Sequence, residues 1–176
     1  MQNYNHWNEL WQIILFLKGK GYNFKFPLKF YIKASLDKDD LDMNYWGICH
    51  TPDWFYSEGS YCIKLNYFAQ EITTKRINKL PILRKNIDLP TGFVKKRKKD
   101  RWGEYYSISY EWETDIRKRF VSIAFHEIGH YLTKTKQHNI PDNEIWTDFF
   151  EMYMTCEYLN LDNPFKRIYK TIKLKN

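Results

Sequence analysis

Apolar residues near the start of the chain recur at mixed spacings of three and four: Trp7, Leu10, Trp11, Ile14, Leu15 and Leu17. That period predicts an amphipathic packing helix ending near Gly19 and Gly21. From Tyr22 to Ala34 aromatic or aliphatic residues alternate with polar ones, as in a half-buried strand, with Pro27 pointing to an edge or a bulge. After an acidic loop, Asp37 to Asp42, the strand-like runs Tyr45 to Cys49 and Tyr61 to Asn66 flank a turn-rich stretch holding Pro52 and Gly59. They read as a hairpin. Phe68 to Pro90 carries no clear period. Thr91 to Val94 and Tyr105 to Trp112 bracket a basic run and Gly103, which predicts a second hairpin with its positive charge at the tip. A 3.6-residue period returns at Phe120, Ile123, Ala124, Ile128 and Leu132, behind a cap at Thr114 or Asp115. After a polar break from Lys134 to Asn139 and Pro141, a last helix carries Ile145, Phe149, Met152 and Leu159 and stops at Asn160 to Pro164. The order of elements reads as an α+β protein.

Length and composition narrow the class. The 176 residues, 43% of them apolar, suffice for a single domain spanning 1–176 with a substantial core, and 7 Gly and 6 Pro exclude a collagenous or low-complexity chain. The longest apolar run, Leu10 to Leu17, is broken by Gln12 and falls far short of the roughly 20 residues of a membrane span. No membrane partner is expected. Three scattered cysteines, Cys49, Cys62 and Cys156, fit free thiols in a reducing compartment, so the expected location is cytoplasmic. The formal charge of +7 is concentrated in Lys95 to Lys99 and in the tail from Lys166 to Lys175. Either place suits an anionic partner such as nucleic acid, or is simply a solvated surface; no aromatic residues interleave the basic run to strengthen the first reading.

The chemistry concentrates in His126-Glu127-Ile128-Gly129-His130, an HExxH sequence. With 5 His and 10 Glu in the chain, chance supplies about 0.008 such sequences. On a helix, positions i and i+4 lie about 40° apart around the axis and about 6 Å along it, so two imidazoles can grip one ion. Glu127 projects about 100° from His126 and about 60° from His130, within reach of a water at the ion without being a ligand. A zinc ion so held lowers the pKa of its water towards about 7, and Glu127 is the catalytic general base that takes the proton and returns it to a leaving amine. The expected reaction is hydrolysis of a peptide bond in a protein or peptide substrate.

A catalytic zinc usually has three protein ligands. Glu144, Asp148 and Glu151 stand at i, i+4 and i+7 on the last helix and make one carboxylate face. Glu144 is the candidate third ligand. Asp148, one turn later, is placed to accept the other ring N–H of a ligating histidine. His138 competes as third ligand from the polar connection between the helices, and Glu151 is expected to face solvent. Tyr131, Tyr153 and His138 are candidates for stabilising the oxyanion.

These residues carry a resemblance. Glu144-Ile-Trp-Thr147-Asp148 is similar to the Glu-x-x-Ala-Asp pattern of the gluzincin group of zincin metallopeptidases, with Thr147 in place of alanine. Arg119-Phe120-Val-Ser-Ile-Ala-Phe-His126-Glu-Ile-Gly-His-Tyr-Leu132 is similar to the Arg-Phe-Thr-x-Ala-His-Glu-Leu-Gly-His-Tyr-Leu run of the ImmA/IrrE-like family, with one extra residue before His126. Tyr45-Trp46-Gly47-Ile-Cys49 with Ile63-Lys-Leu65-Asn66 resembles the strand-turn-strand of SprT-like minimal proteases, which usually carry a third histidine. The resemblance implies a zincin-like fold: a small mixed β-sheet packed on the HExxH helix and on a following ligand-bearing helix. It implies zinc held by His126, His130 and Glu144, with Asp148 as their partner. It also implies an edge strand that pairs with extended substrate, a role for which Tyr61 to Asn66 is the candidate. The other reading of the same residues is a zincin-fold binding or structural module without catalysis, with or without a nucleic-acid-facing basic hairpin.

Overall fold

The computed structural model describes residues 4–33, 47–53, 58–66, 75–76, 93–100, 103–110, 115–137, 144–163 and 166; of 75–76, 93–100 and 103–110 it describes the backbone. The acidic loop, most of Phe68 to Pro90, Thr114, His138, Pro141 and the tail beyond Lys166 lie outside these residues.

The first helix, α1 (His6–Gly19), is capped by the Asn5 side chain, which accepts from the Asn8 amide at 3.0 Å. Gly21, at φ +91°, takes the left-handed conformation that ends it, and the Tyr22 amide closes back onto Leu17. Only Leu10, Ile13 and Leu17 form the buried apolar face, because α1 packs one side against the rest of the core. Trp7, Trp11 and Leu15, expected in that face, instead form an exposed stripe at i, i+4 and i+8.

Strand β1 (Leu28–Lys33) is shorter than the alternation from Tyr22 to Ala34 suggested. Pro27 lacks an N–H, and its carbonyl accepts from Tyr61 at 2.8 Å where the ladder begins. Before it, Tyr22 and Phe24 pack edge-on to Phe150 and flat on Tyr131. The Gln137 side chain serves both backbone groups of Asn23 there, so no partner strand is needed. Strands β2 (Gly47–His50) and β3 (Tyr61–Asn66) form the expected antiparallel hairpin, its turn passing through Glu58 and Gly59 at positive φ. β1 adds to β3 in parallel, giving a mixed sheet of order β1-β3-β2. β3 is therefore the central strand rather than an edge: both its ladders are occupied, and the expectation that Tyr61 to Asn66 receives substrate is corrected. Cys49 stands opposite Ile63 and Cys62 opposite His50, so the two thiols are out of register and alternate to opposite faces.

A second sheet, of order β4-β6-β5, joins β4 (Lys75–Arg76), β5 (Phe93–Asp100) and β6 (Gly103–Tyr110) antiparallel. Lys95 to Lys99 lie along β5, paired with Ile108 to Glu104, and not at the hairpin tip, which falls between Asp100 and Gly103. The tip placement is thereby corrected: the β-forming run Tyr105 to Tyr110 templates its basic neighbour as a strand despite the weak strand preference of lysine.

Helix α2 (Ile116–Lys134) starts at Asp115, whose carboxylate accepts from the Lys118 amide at 3.0 Å. Helix α3 (Glu144–Tyr158) ends at Asn160, at φ +54°, where the Leu161 amide returns to Cys156. Phe120, Phe125, Ile128, Tyr131 and Leu132 of α2, Phe149 of α3, Ile13 and Leu17 of α1, and Ile63 and Leu65 of β3 are the largest side chains shut off from solvent. The core thus lies where α2 meets α3, α1 and the mixed sheet, and full burial of each such side chain stabilises the fold by about 1.5–3 kcal/mol. Among the described residues no helix is long and apolar enough to cross a membrane.

Candidate metal centre

The site grows from the seam between α2 and α3. Gly129, inside the HExxH turn, permits it: a Cβ there would lie 3.0 Å from the Phe150 ring and 3.1 Å from the Thr147 methyl. Without that side chain α3 closes down on α2, and its carboxylate face meets the two imidazoles.

Glu144, at the first position of α3, directs one carboxylate oxygen to His126 Nε2 at 3.2 Å and the other to His130 Nε2 at 3.3 Å. The two rings stand nearly perpendicular with centroids 5.0 Å apart. One donor atom from each of the three residues fits within 4.8 Å of the others, the compactness that a single ion requires. The hydrogen bonds to His126 and His130 hold the Glu144 carboxyl well below the usual carboxylate range. The Glu144 side chain is 73% exposed whereas those of His126 and His130 are largely covered, so the group opens to solvent on the Glu144 side.

The far side of each ring faces α3. His126 Nδ1 lies 3.2 Å from Asp148 and 3.0 Å from Glu151. His130 Nδ1 lies 3.4 Å from the Thr147 hydroxyl. His126 Nδ1 thus faces two carboxylates and His130 Nδ1 a hydroxyl, so an ion at Glu144 would take the lone pair of each Nε2 with the hydrogen of each ring on Nδ1. The donor set fits a zinc ion: two imidazole nitrogens and one carboxylate oxygen, each ring backed by a hydrogen-bonding partner.

Glu127 is buried, with its side chain directed at strand β2. A Cβ on Gly47 would lie 2.5 Å from the Glu127 Cγ and 2.7 Å from one carboxylate oxygen, so only glycine fits where β2 crosses the HExxH helix. Strand β2 thus lies against the Glu127 side chain at Gly47.

The structure therefore brings together His126, His130, Glu144 and Asp148, and sets Glu127 beside the two histidines on α2. His138 falls outside the described residues. Glu151 is the main correction: expected in solvent, it is 2% exposed, accepts from the Ser122 hydroxyl and touches His126. The signal available in the sequence was Ser122, one helical turn before His126 and able to face the same helix. Tyr131 is removed as an oxyanion candidate, because its ring is wholly buried, stacked on Phe24, and its hydroxyl donates to the Phe26 carbonyl. Tyr153, nine residues after Glu144 in α3, falls about 180° around the helix axis from it. No protein-family model, curated protein or solved structure matches the chain.

Proposed function

We propose that the chain is a zinc-dependent endopeptidase of the zincin type, resembling the gluzincins in taking its third ligand from a helix after HExxH. The single observation that carries this reading is the convergence of His126 Nε2, His130 Nε2 and the Glu144 carboxylate in a group compact enough for one ion. His126, His130 and Glu144 hold the zinc. When bound, zinc supplies Lewis acidity towards a carbonyl and makes water a nucleophile near neutral pH. Glu127, buried and confined between α2 and Gly47, takes the proton of the attacking water at its carboxylate and delivers it to the departing amine. Asp148 and Thr147 keep the imidazoles in the tautomer that leaves Nε2 available. The three cysteines, none of them in a disulfide among the described residues, go with a cytoplasmic location.

Metal analysis combined with Glu127→Gln tests this reading. Near-stoichiometric zinc in both proteins is expected, with proteolysis reduced about 10²–10⁴-fold in the variant. A folded preparation without affinity for zinc contradicts it. A second reading, a zincin-fold binding module, is favoured by one observation: the Tyr131 hydroxyl is engaged by the Phe26 carbonyl and supplies no oxyanion donor. On that reading Glu127→Gln leaves the biological role intact.

A further inference from the structure

The side of His126 away from Glu144 holds more than a single orienting acceptor. Ser122 and His126 stand one turn apart on α2 and face the stretch of α3 that carries Asp148 and Glu151. Glu151 Oε2 lies 3.0 Å from His126 Nδ1, while its Oε1 accepts from the Ser122 hydroxyl. Asp148 reaches the same nitrogen at 3.2 Å. A buried carboxylate is costly unless its oxygens are hydrogen-bonded, and each oxygen of Glu151 is engaged by a residue of α2. His130 is served differently, by a neutral hydroxyl.

We propose that Glu151, pinned by Ser122, is a positioning residue for the metal centre: it holds His126 in the Nδ1–H tautomer with its ring aimed at the ion, and raises the electron-donating power of Nε2. The inference rests on the metal-centre reading and deepens it. One Nδ1–H shared between two carboxylates makes His126 the more strongly polarised ligand, and His130 the more weakly held. Asp148 alone would orient the ring; Glu151 adds a second negative charge that Ser122 keeps from swinging away. Asp148 and Glu151, both accepting at His126 Nδ1, and Ser122, donating to Glu151, therefore act as one strap between α3 and α2.

Zinc affinity, measured by competition with a chromophoric chelator on wild type, Glu151→Gln and Ser122→Ala, provides the test. Glutamine keeps the volume and can still pair with Ser122 and His126, so the charge alone is removed. A loss of about 10–100-fold in zinc affinity is expected for Glu151→Gln, with a smaller loss for Ser122→Ala. A merely structural Glu151 would lower the melting temperature of the metal-free protein and leave zinc affinity at the wild-type value, and that result overturns the proposal. So does a stoichiometry of two zinc ions per chain, which would put an ion rather than a hydrogen bond at Nδ1. Should Glu151→Gln not fold, Ser122→Ala carries the test, an unchanged affinity counting against the proposal. If wild type itself binds no zinc, the metal centre fails as a reading and the ring ¹⁵N shifts of the metal-free protein decide the rest. Hydrogen on His126 Nδ1, with or without a second on the Nε2 that faces Glu144, upholds the role of Glu151, and a bare Nδ1 overturns it.

Discussion

At the scale of single residues, two glycines decide what the site can contain. Gly47 leaves room for the Glu127 carboxylate where no Cβ fits, and the contact is with the side chain expected to move the proton. Gly47→Ala should therefore displace Glu127 and reduce proteolysis by at least about tenfold, since misplacing a catalytic group by about 1 Å costs up to 10²-fold. Zinc content should stay at the wild-type level, because the atoms nearest the added Cβ all belong to Glu127 and not to a ligand. Parallel assays of peptide cleavage and bound metal separate the two effects. HExxH and the i, i+4 pair Glu144 and Asp148 were legible because helical spacing alone brings such residues onto one face. Glu151 was not, because an acid at i+7 on an exposed-looking stripe gives no sign of burial until the partner helix supplies Ser122 and His126.

At the scale of elements, the seam between α2 and α3 is set by Gly129. Alanine there gains about 1 kcal/mol of helix propensity. It also drives a Cβ to 3.0 Å from Phe150 and 3.1 Å from Thr147, both of them buried. Overpacking of this kind costs about 1–3 kcal/mol, so Gly129→Ala should be net destabilising by about 1 kcal/mol. A urea midpoint lowered at unchanged slope is the expected readout. The hairpin β2–β3 was legible from alternation and turn residues. The parallel addition of β1 was not, because a crossover leaves no local signature in the strands it joins. The basic strand β5 was misplaced for a related reason: five consecutive cations look like a solvated tip, and only the register with β6 makes them a strand.

At the scale of the whole molecule, a partly buried polar cluster ties the three helices together. Glu9 of α1 accepts from Arg117 Nε at 3.0 Å and Nη2 at 3.1 Å, near the start of α2, and from the Tyr158 hydroxyl at 2.7 Å, at the end of α3. Burial opposes ionisation of Glu9, but the hydrogen bonds from Arg117 and Tyr158 outweigh it and hold the carboxyl below its ordinary value of 4.5. A carboxyl depressed in the folded state stabilises the fold above its ordinary value, and that contribution disappears as pH falls from 4.5 through the lower folded value. The melting temperature of wild type should accordingly drop over that acid range. In Glu9→Gln the drop should be smaller, from a lower starting stability near neutral pH. Thermal melts at a series of pH values compare the two. None of this was legible beforehand, since Glu9 sits in an apolar run and its partners come from residues more than a hundred positions away.

The central claim is that His126, His130 and Glu144 share one divalent ion. X-ray absorption at the zinc edge, on protein loaded with one equivalent of zinc, tests it most directly. Two imidazoles and oxygen donors, with nitrogen at about 2.0–2.1 Å and no sulfur, are the expected surroundings. A spectrum with fewer than two imidazoles, or with sulfur at about 2.3 Å from a cysteine, contradicts it.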